Sequence, residues 1–417
     1  MNRRGFILLP ILILLIITGA IADSGNPALG AEAAGGQEAA AGEITVVMVG
    51  DLYLSSWLEP ILLKNPAYPY ADPGIRELFD HADLVFGNLE APFSQRGEVY
   101  VEKKYTFRCH PGVAPALIAG GFDFVSLANN HIMDFGPEAL EDTIAVLQEH
   151  GVAYAGAGRN LEEARRPALM ERKGLRIAVL AYNSTFPLEF NAGSDRPGTA
   201  RGVWEHIRED VQKAAGLADL VMVSFHWSGE RVKVPRDYQR SFGRLCIDAG
   251  AHVVFGHHPH VHQGVEVYKN GLIAYSLGNF IFAGYSSSTR DSIILKVRLD
   301  RKGVREAEIH PININNYEVE FQPQLFKGEE ASRLLREIQE LSAAFNTRVE
   351  IKGDVGVVLL PGGGRPEQAA LVQGALEQGT PEEGEVKPGT SPEEPPAEDG
   401  LGKDKPGQEA VEGNGSA

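Results

Sequence analysis

Residues 252–262 read HVVFGHHPHVH, an apolar run that ends in a cluster of histidines. A β-branched run, 252–255, passes through Gly256 into a segment in which His257, His258, His260 and His262 fill four of six positions. The run has the length and composition of a buried strand. The residues after it are of metal-ligand type. The same arrangement recurs along the chain. Residues 44–49 (ITVVMV) lead to Gly50-Asp51, and 83–86 lead to Gly87-Asn88-Leu89-Glu90. Residues 122–127 lead to Asn129-Asn130-His131, and 220–225 lead to His226-Trp227. In open α/β sheets, ligands bind at the carboxyl ends of the strands. Five such ends, each delivering Asp, Glu, Asn or His, converge on one site by topology.

Helical spacing fills the intervals. Leu140, Ile144 and Leu147 mark a helix over 137–150, and further helices are expected over 203–215 and 237–249. Residues 175–182 form one more strand. Beyond the histidine segment the helices stop. Runs at 265–268, 272–275, 280–282 and 293–299 follow one another, with Asn270-Gly271 as a hairpin signal between the first two. An α/β half followed by a β meander suits two packed sheets with helices outside. This α/β domain is expected over 44–312. Residues 313–361 are expected to add a small extension, with a helix over 331–344 and a strand over 355–360.

The two ends lie outside that domain. Residues 1–22 (MNRRGFILLPILILLIITGAIA) place two arginines before an unbroken apolar run and close on Ala20-Ile21-Ala22. This is the pattern of an export signal. The run is also long enough to serve as an uncleaved N-terminal anchor. Either way the domain is expected outside the cytoplasm, secreted or held at the membrane. Residues 23–43 form an Ala/Gly-rich linker, and 362–417 an acidic tail rich in Pro, Glu and Gly, both too poor in apolar residues to fold. The formal net charge is -17. The stretch from 361 on holds about 12 acidic and 4 basic side chains. The acidity therefore describes a solvated tail more than an active surface. No basic patch points to nucleic acid. Cys109 and Cys246 leave two readings open, a single disulfide after export or two buried thiols.

The residue types suit a hydrolase with two adjacent divalent ions. Such a centre needs a carboxylate bridge, neutral oxygen and imidazole ligands, and open positions for water and substrate. Glu90 suits the bridge. Imidazole with carboxylate favours Mn, Fe, Zn or Co over Ca.

Gly50-Asp51, Gly87 to Glu90, Asn129 to His131, His226-Trp227 with Glu230, the GHHPHV of 256–261 and the SLGNF of 276–280 together resemble the CapA-type poly-γ-glutamate capsule biosynthesis proteins. Those are similar to calcineurin-like metallophosphoesterases. The resemblance covers 44–300 and implies a four-layer α/β/β/α sandwich. It implies that Asp51 binds a first metal, that Glu90 bridges, and that Asn130 and His226 bind a second. His258 and His260 would serve one metal each, with His257 a spare facing solvent and His252 and His262 structural. His131 would be the acid or transition-state stabiliser. Glu230 would orient His226 or act as an extra acid. Lys104 and Arg108, in KKYTFRCHP, are candidate substrate-binding residues, since a guanidinium grips phosphate or carboxylate bidentately. Asn88 supports the site, as does Asn279 by bonding loop backbone.

The first motif departs from the phosphoesterase pattern. It reads Asp51-Leu52-Tyr53 where Asp-x-His is usual, so the first metal loses an imidazole. Three functions stay open. The protein is a two-metal hydrolase of phosphoesters or γ-glutamyl amides in capsule or poly-γ-glutamate metabolism. Or it is a membrane-anchored, non-catalytic assembly or export factor for an anionic polymer, working beside a polymer-synthesis membrane complex. A nucleotide phosphodiesterase would rest on fold analogy alone.

Overall fold

The computed structural model describes residues 42–286 and 289–361. The expected export signal (1–22), nearly all of the linker (23–43) and the acidic tail (362–417) lie outside the described residues. Among the described residues no helix is long and apolar enough to cross a membrane.

The first strand, Glu43–Tyr53, sits inside a ten-stranded sheet, between Leu84–Leu89 on one side and Asp291–Asp300 on the other. It alternates strictly. Val46 and Met48 enter one core, while Val47 and Val49 enter another. Period-2 alternation sends successive side chains to opposite faces, so both faces of this sheet are covered. The first core is shared with a six-stranded sheet, through Ile177, Val179, Met222, Val253 and Phe255. The second is closed by helices, through Ile75, Phe79, Leu140 and Leu147. On the far side of the smaller sheet, Leu180, Val221, Val223 and Val254 meet Ile207 and Val211 of helix Trp204–Leu217 and Phe242 and Cys246 of helix Asp237–Ala249. The layers run helix, sheet, sheet, helix, the four-layer sandwich that the sequence led us to expect. Each large aliphatic side chain buried here contributes about 1.5–3 kcal/mol.

The Asn270-Gly271 hairpin forms as read, joining antiparallel strands Val265–Tyr268 and Gly271–Ala274. The third strand is shorter than its apolar run, Phe124–Ser126 only. Residues after 313 attach to the same body. Helix Gly328–Ala343 packs Ala331, Leu334, Leu335 and Ile338 into the core between the sheets. Strand Val355–Val358 pairs with Gly303–Asn313. Both cysteines are free thiols, Cys109 in the helix-side core of the large sheet and Cys246 in that of the small one.

Strand Gly303–Asn313 carries cross-strand ion pairs with Asp291–Asp300, Glu308 to Lys296 at 2.9 Å and Glu306 to Arg298 at 2.9 Å. The His310 ring holds the Glu308 carboxyl down to about 2; partial burial opposes it and the Lys296 ammonium assists. A depressed folded value means that the stabilisation is present above the unfolded value of about 4.3 and is lost as pH falls toward 2. Glu308→Gln is therefore expected to cost about 1 kcal/mol at neutral pH, after solvent screening. The cost should shrink in urea titrations as pH falls from about 5 and be lost as it passes through about 2.

Candidate metal centre

The strand ends meet because the sheet registers put them level. Asp51 pairs with Asn88 on one side and Asn279 on the other. In the second sheet, His226 pairs with His257 and with Asn183. Two glycines let the backbones close up. A Cβ on Gly50 would lie 1.9 Å from the Gly278 carbonyl oxygen, and one on Gly256 would lie 2.0 Å from that of Tyr275. His258 and His260 both hold left-handed backbone, with φ of 93° and 55°. Strain of this kind in a side chain with a Cβ collects at functional sites.

The side chains gather into two triads of candidate ligand atoms, Asp51–Glu90–His260 and Glu90–His226–His258, each within 4.8 Å. Glu90 belongs to both. His226 Nε2 lies 3.4 Å from Glu90 Oε1, 2.8 Å from Asn130 Oδ1 and 3.1 Å from His258 Nδ1. His260 Nδ1 lies 3.4 Å from Asp51 Oδ2, and its Nε2 lies 3.9 Å from Glu90 Oε1. Asp51, Glu90 and His226 are fully buried, and Asn130, His258 and His260 nearly so.

The electrostatics show what is missing from this cage. Burial and the neighbouring Asp51 charge push the Glu90 carboxyl well above its ordinary range. Among the described residues, neither Glu90 oxygen has a hydrogen-bond partner. Burial pushes Asp51 up too, but the His257 and His260 imidazoles outweigh it and hold the carboxyl well below the usual range. Burial and His258 drive His226 down; burial and His260 lower His258 to about 3. Burial opposes the charging of His260, but Glu90 and Asp51 lift it to about 10. A buried, unbonded carboxylate costs several kcal/mol unless a cation meets it. Imidazoles and carboxylates around such a group are the donor set of a transition-metal site.

The other expected residues fall as follows. His131 joins the cluster with Nδ1 2.8 Å from Asp134 Oδ2, and the Phe107 ring stacks on it at 3.9 Å. Burial and the Lys103 ammonium keep His131 well below its ordinary value. Asn88 donates to Asp51 Oδ1 at 2.9 Å and lies 3.3 Å from His226 Nδ1. Asn88, then, is what touches the distal nitrogen of His226. Glu230 is half-buried in the loop after His226, and its charge is felt at Glu90 and His260. Asn279 bonds the His260 ring, Oδ1 to Nδ1 at 2.8 Å, and not the loop backbone. Arg108 lies over the Phe135 ring at 3.4 Å and Lys104 beside Tyr105 at 5.4 Å. His252 is structural, its Nδ1 accepting from the Val221 N–H at 3.1 Å.

His257 needs correcting. The expected solvent-facing spare is fully buried, with Nδ1 3.1 Å from Asp51 Oδ1 but out of line for a hydrogen bond. It is the last residue of strand Val253–His257, so alternation turns it inward behind Asp51. Sequence reasoning passed over Asp134 and Lys103, and gave Asn129, named at its strand end, no role. Asp134 was findable three residues after His131 in NNHIMD. Asn129 donates to the Leu89 carbonyl at 2.8 Å and ties two strand ends together.

Fold and site together define a two-sheet α/β protein with a buried carboxylate–imidazole centre at its strand ends. The chain belongs to the family of bacterial capsule synthesis protein PGA_cap, whose model matches residues 45–284 and so encloses every strand end described above. It is 30% identical to the capsule biosynthesis protein CapA of Bacillus anthracis over 279 residues, 65% of this chain and 68% of that protein. It is 31% identical to the PGA biosynthesis protein CapA of Bacillus subtilis strain 168 over 277 residues, 65% of this chain and 72% of that protein. The NAD nucleotidase of Haemophilus influenzae aligns with a TM-score of 0.40 at 11% identity, over 72% of this chain and 56% of that chain. That likeness is too distant to argue from.

Proposed function

We propose that this protein is an exported, metal-dependent hydrolase-type member of its family, acting at the cell surface on a poly-γ-glutamate-like polymer or its precursors. The observation that carries this reading is Glu90, fully buried, with both oxygens unbonded, shared by two triads of ligand-type atoms. Asp51, Glu90 and His260 would hold one divalent ion, and Glu90, His226, His258 and Asn130 a second. Mn, Fe or Zn suits those donors. Such a pair supplies Lewis-acid polarisation of the electrophile and activation of water. The chain's own residues do the rest. Asn88 and Asn279 orient Asp51 and His260 through their hydrogen bonds. His131 stands beside the triads to stabilise charge on the departing atom. The bond cleaved is a γ-glutamyl amide or a phosphoester, since both pass through an electrophile that gains oxygen charge.

One feature favours a second reading, that of an anchored, non-catalytic assembly factor for the anionic polymer. Tyr53 stands where Asp-x-His would supply an imidazole, stacked on Phe107 at 4.2 Å. The first triad therefore has one nitrogen ligand only. Elemental analysis of the purified full chain separates the two readings. The hydrolase reading expects about two transition-metal ions per chain, loss of an ion in His226→Ala, and chelator-sensitive cleavage of γ-glutamyl or phosphoester probes. One ion without turnover would favour the assembly factor. No ion after reconstitution would end the metal reading.

A further inference from the structure

The Asn129 side chain is fully buried, and all four of its hydrogen-bonding positions are filled. Oδ1 accepts the backbone N–H groups of His131 at 3.1 Å and Ile132 at 2.9 Å. Nδ2 donates to the Leu89 carbonyl at 2.8 Å and to Asn88 Oδ1 at 3.2 Å. Three of these partners are backbone groups with one possible sense, since an N–H only donates and a carbonyl only accepts. The Asn129 amide therefore has a single orientation. That sense passes on to its neighbour. Asn88 must show Oδ1 to Asn129, which turns its Nδ2 onto Asp51 Oδ1 at 2.9 Å.

Asp51 receives the end of this relay. Asn88 occupies Oδ1, which leaves Oδ2 on the His260 side of the cage. There Oδ2 accepts the His258 N–H at 3.2 Å and lies 3.4 Å from His260 Nδ1. We propose that Asn129 is a positioning residue that fixes the sense of the Asn88 amide, so that Asp51 meets an ion through Oδ2 with its other oxygen already bonded. An Asn88 amide turned the other way would set its Oδ1 against Asp51 Oδ1, two acceptors with no hydrogen between them. In a buried site that contact is costly, and the carboxylate would leave its place. Partners that hold a ligand from behind are worth about 10–100-fold in metal affinity. The triad of Asp51, Glu90 and His260 has one imidazole, so it depends most on where its carboxylates stand. The inference rests on reading Asp51 as an ion ligand.

Calorimetric titration of the metal-free full chain with zinc tests the relay. The binding step that belongs to Asp51 is identified by its loss in Asp51→Asn. Asn129→Asp keeps the size of the side chain and an acceptor for the two backbone N–H groups, but puts an acceptor where the amide donated. The Asn88 amide should then turn over, and zinc affinity at the Asp51 step should fall about 10–100-fold. Asn88→Ala should lower that step as far by itself. Adding Asn129→Asp to Asn88→Ala should lower it no further, because the relay is already cut. A merely structural Asn129 would add its full cost. Wild-type affinity in either single variant overturns the proposal, and so does additivity in the pair. Asn88→Ala carries the test if Asn129→Asp does not fold. A wild-type chain that takes up no zinc ends the metal reading and this inference with it. A chain that takes up two ions whichever residue is changed ends this inference alone.

Discussion

Glu90→Gln is expected to strip both ions from the protein at once, taking metal content from about two per chain to near zero. The carboxylate belongs to both triads, and an amide cannot bridge two cations. The variant carries a second signature. An ion held at 100 times its dissociation constant contributes about 2.7 kcal/mol, so a filled pair contributes roughly 5 kcal/mol. Glu90→Gln should lose that metal-dependent gain in thermal unfolding. Without metal it should be at least as stable as the wild type. It replaces a buried carboxylate, unbonded and raised by burial and Asp51, with a neutral group. Asp51→Asn touches one triad and should cost one ion. If Glu90→Gln keeps both ions, the shared-carboxylate reading is wrong.

Gly50→Ala should be the most damaging small substitution next to the site. The added Cβ would lie 1.9 Å from the Gly278 oxygen and 2.6 Å from its carbonyl carbon, both backbone atoms that no rotamer can move. The strand must shift, which breaks the Asp51 N–H to Gly278 carbonyl bond of 3.0 Å. We expect a loss of about 3 kcal/mol or more in urea unfolding, with metal content falling as Asp51 moves. Gly216→Ala is the control. It lies in helix Trp204–Leu217 with open space around its would-be Cβ. It should be neutral or stabilise by up to about 1 kcal/mol. A Gly50→Ala protein as stable as the control would refute the close-packing argument.

How much of this was legible in the sequence depended on how local the signal was. The strands at 44–49 and 220–225 announced themselves because both faces are buried and the run is almost wholly apolar. Strand Gly303–Asn313 (GVREAEIHPIN) was not readable as a strand. One of its faces carries Glu306 and Glu308 in ion pairs with a neighbouring strand, and that pairing exists only once the strands are adjacent. His257 and Lys103 failed for the same reason. In a run of three ligand-type histidines, the one that turns inward is set by where the strand ends. Lys103 and Lys104 are adjacent identical letters, and the letters do not say that Lys103 meets Asp134 and Asn130, about 30 residues on.

By itself the sequence determined the two-sheet α/β plan, the strand ends that meet, and the family to which the chain belongs. These follow from residue type, alternation and order, which are properties of short stretches. The tertiary structure alone decided which atoms face which. It gave Glu90 to both triads, put Asn88 on His226, turned His257 behind Asp51 and closed Lys103 on His131. Those contacts join segments up to about 200 residues apart. They depend on glycine-permitted backbone approach at Gly50 and Gly256 and on left-handed backbone at His258 and His260, which no local pattern encodes.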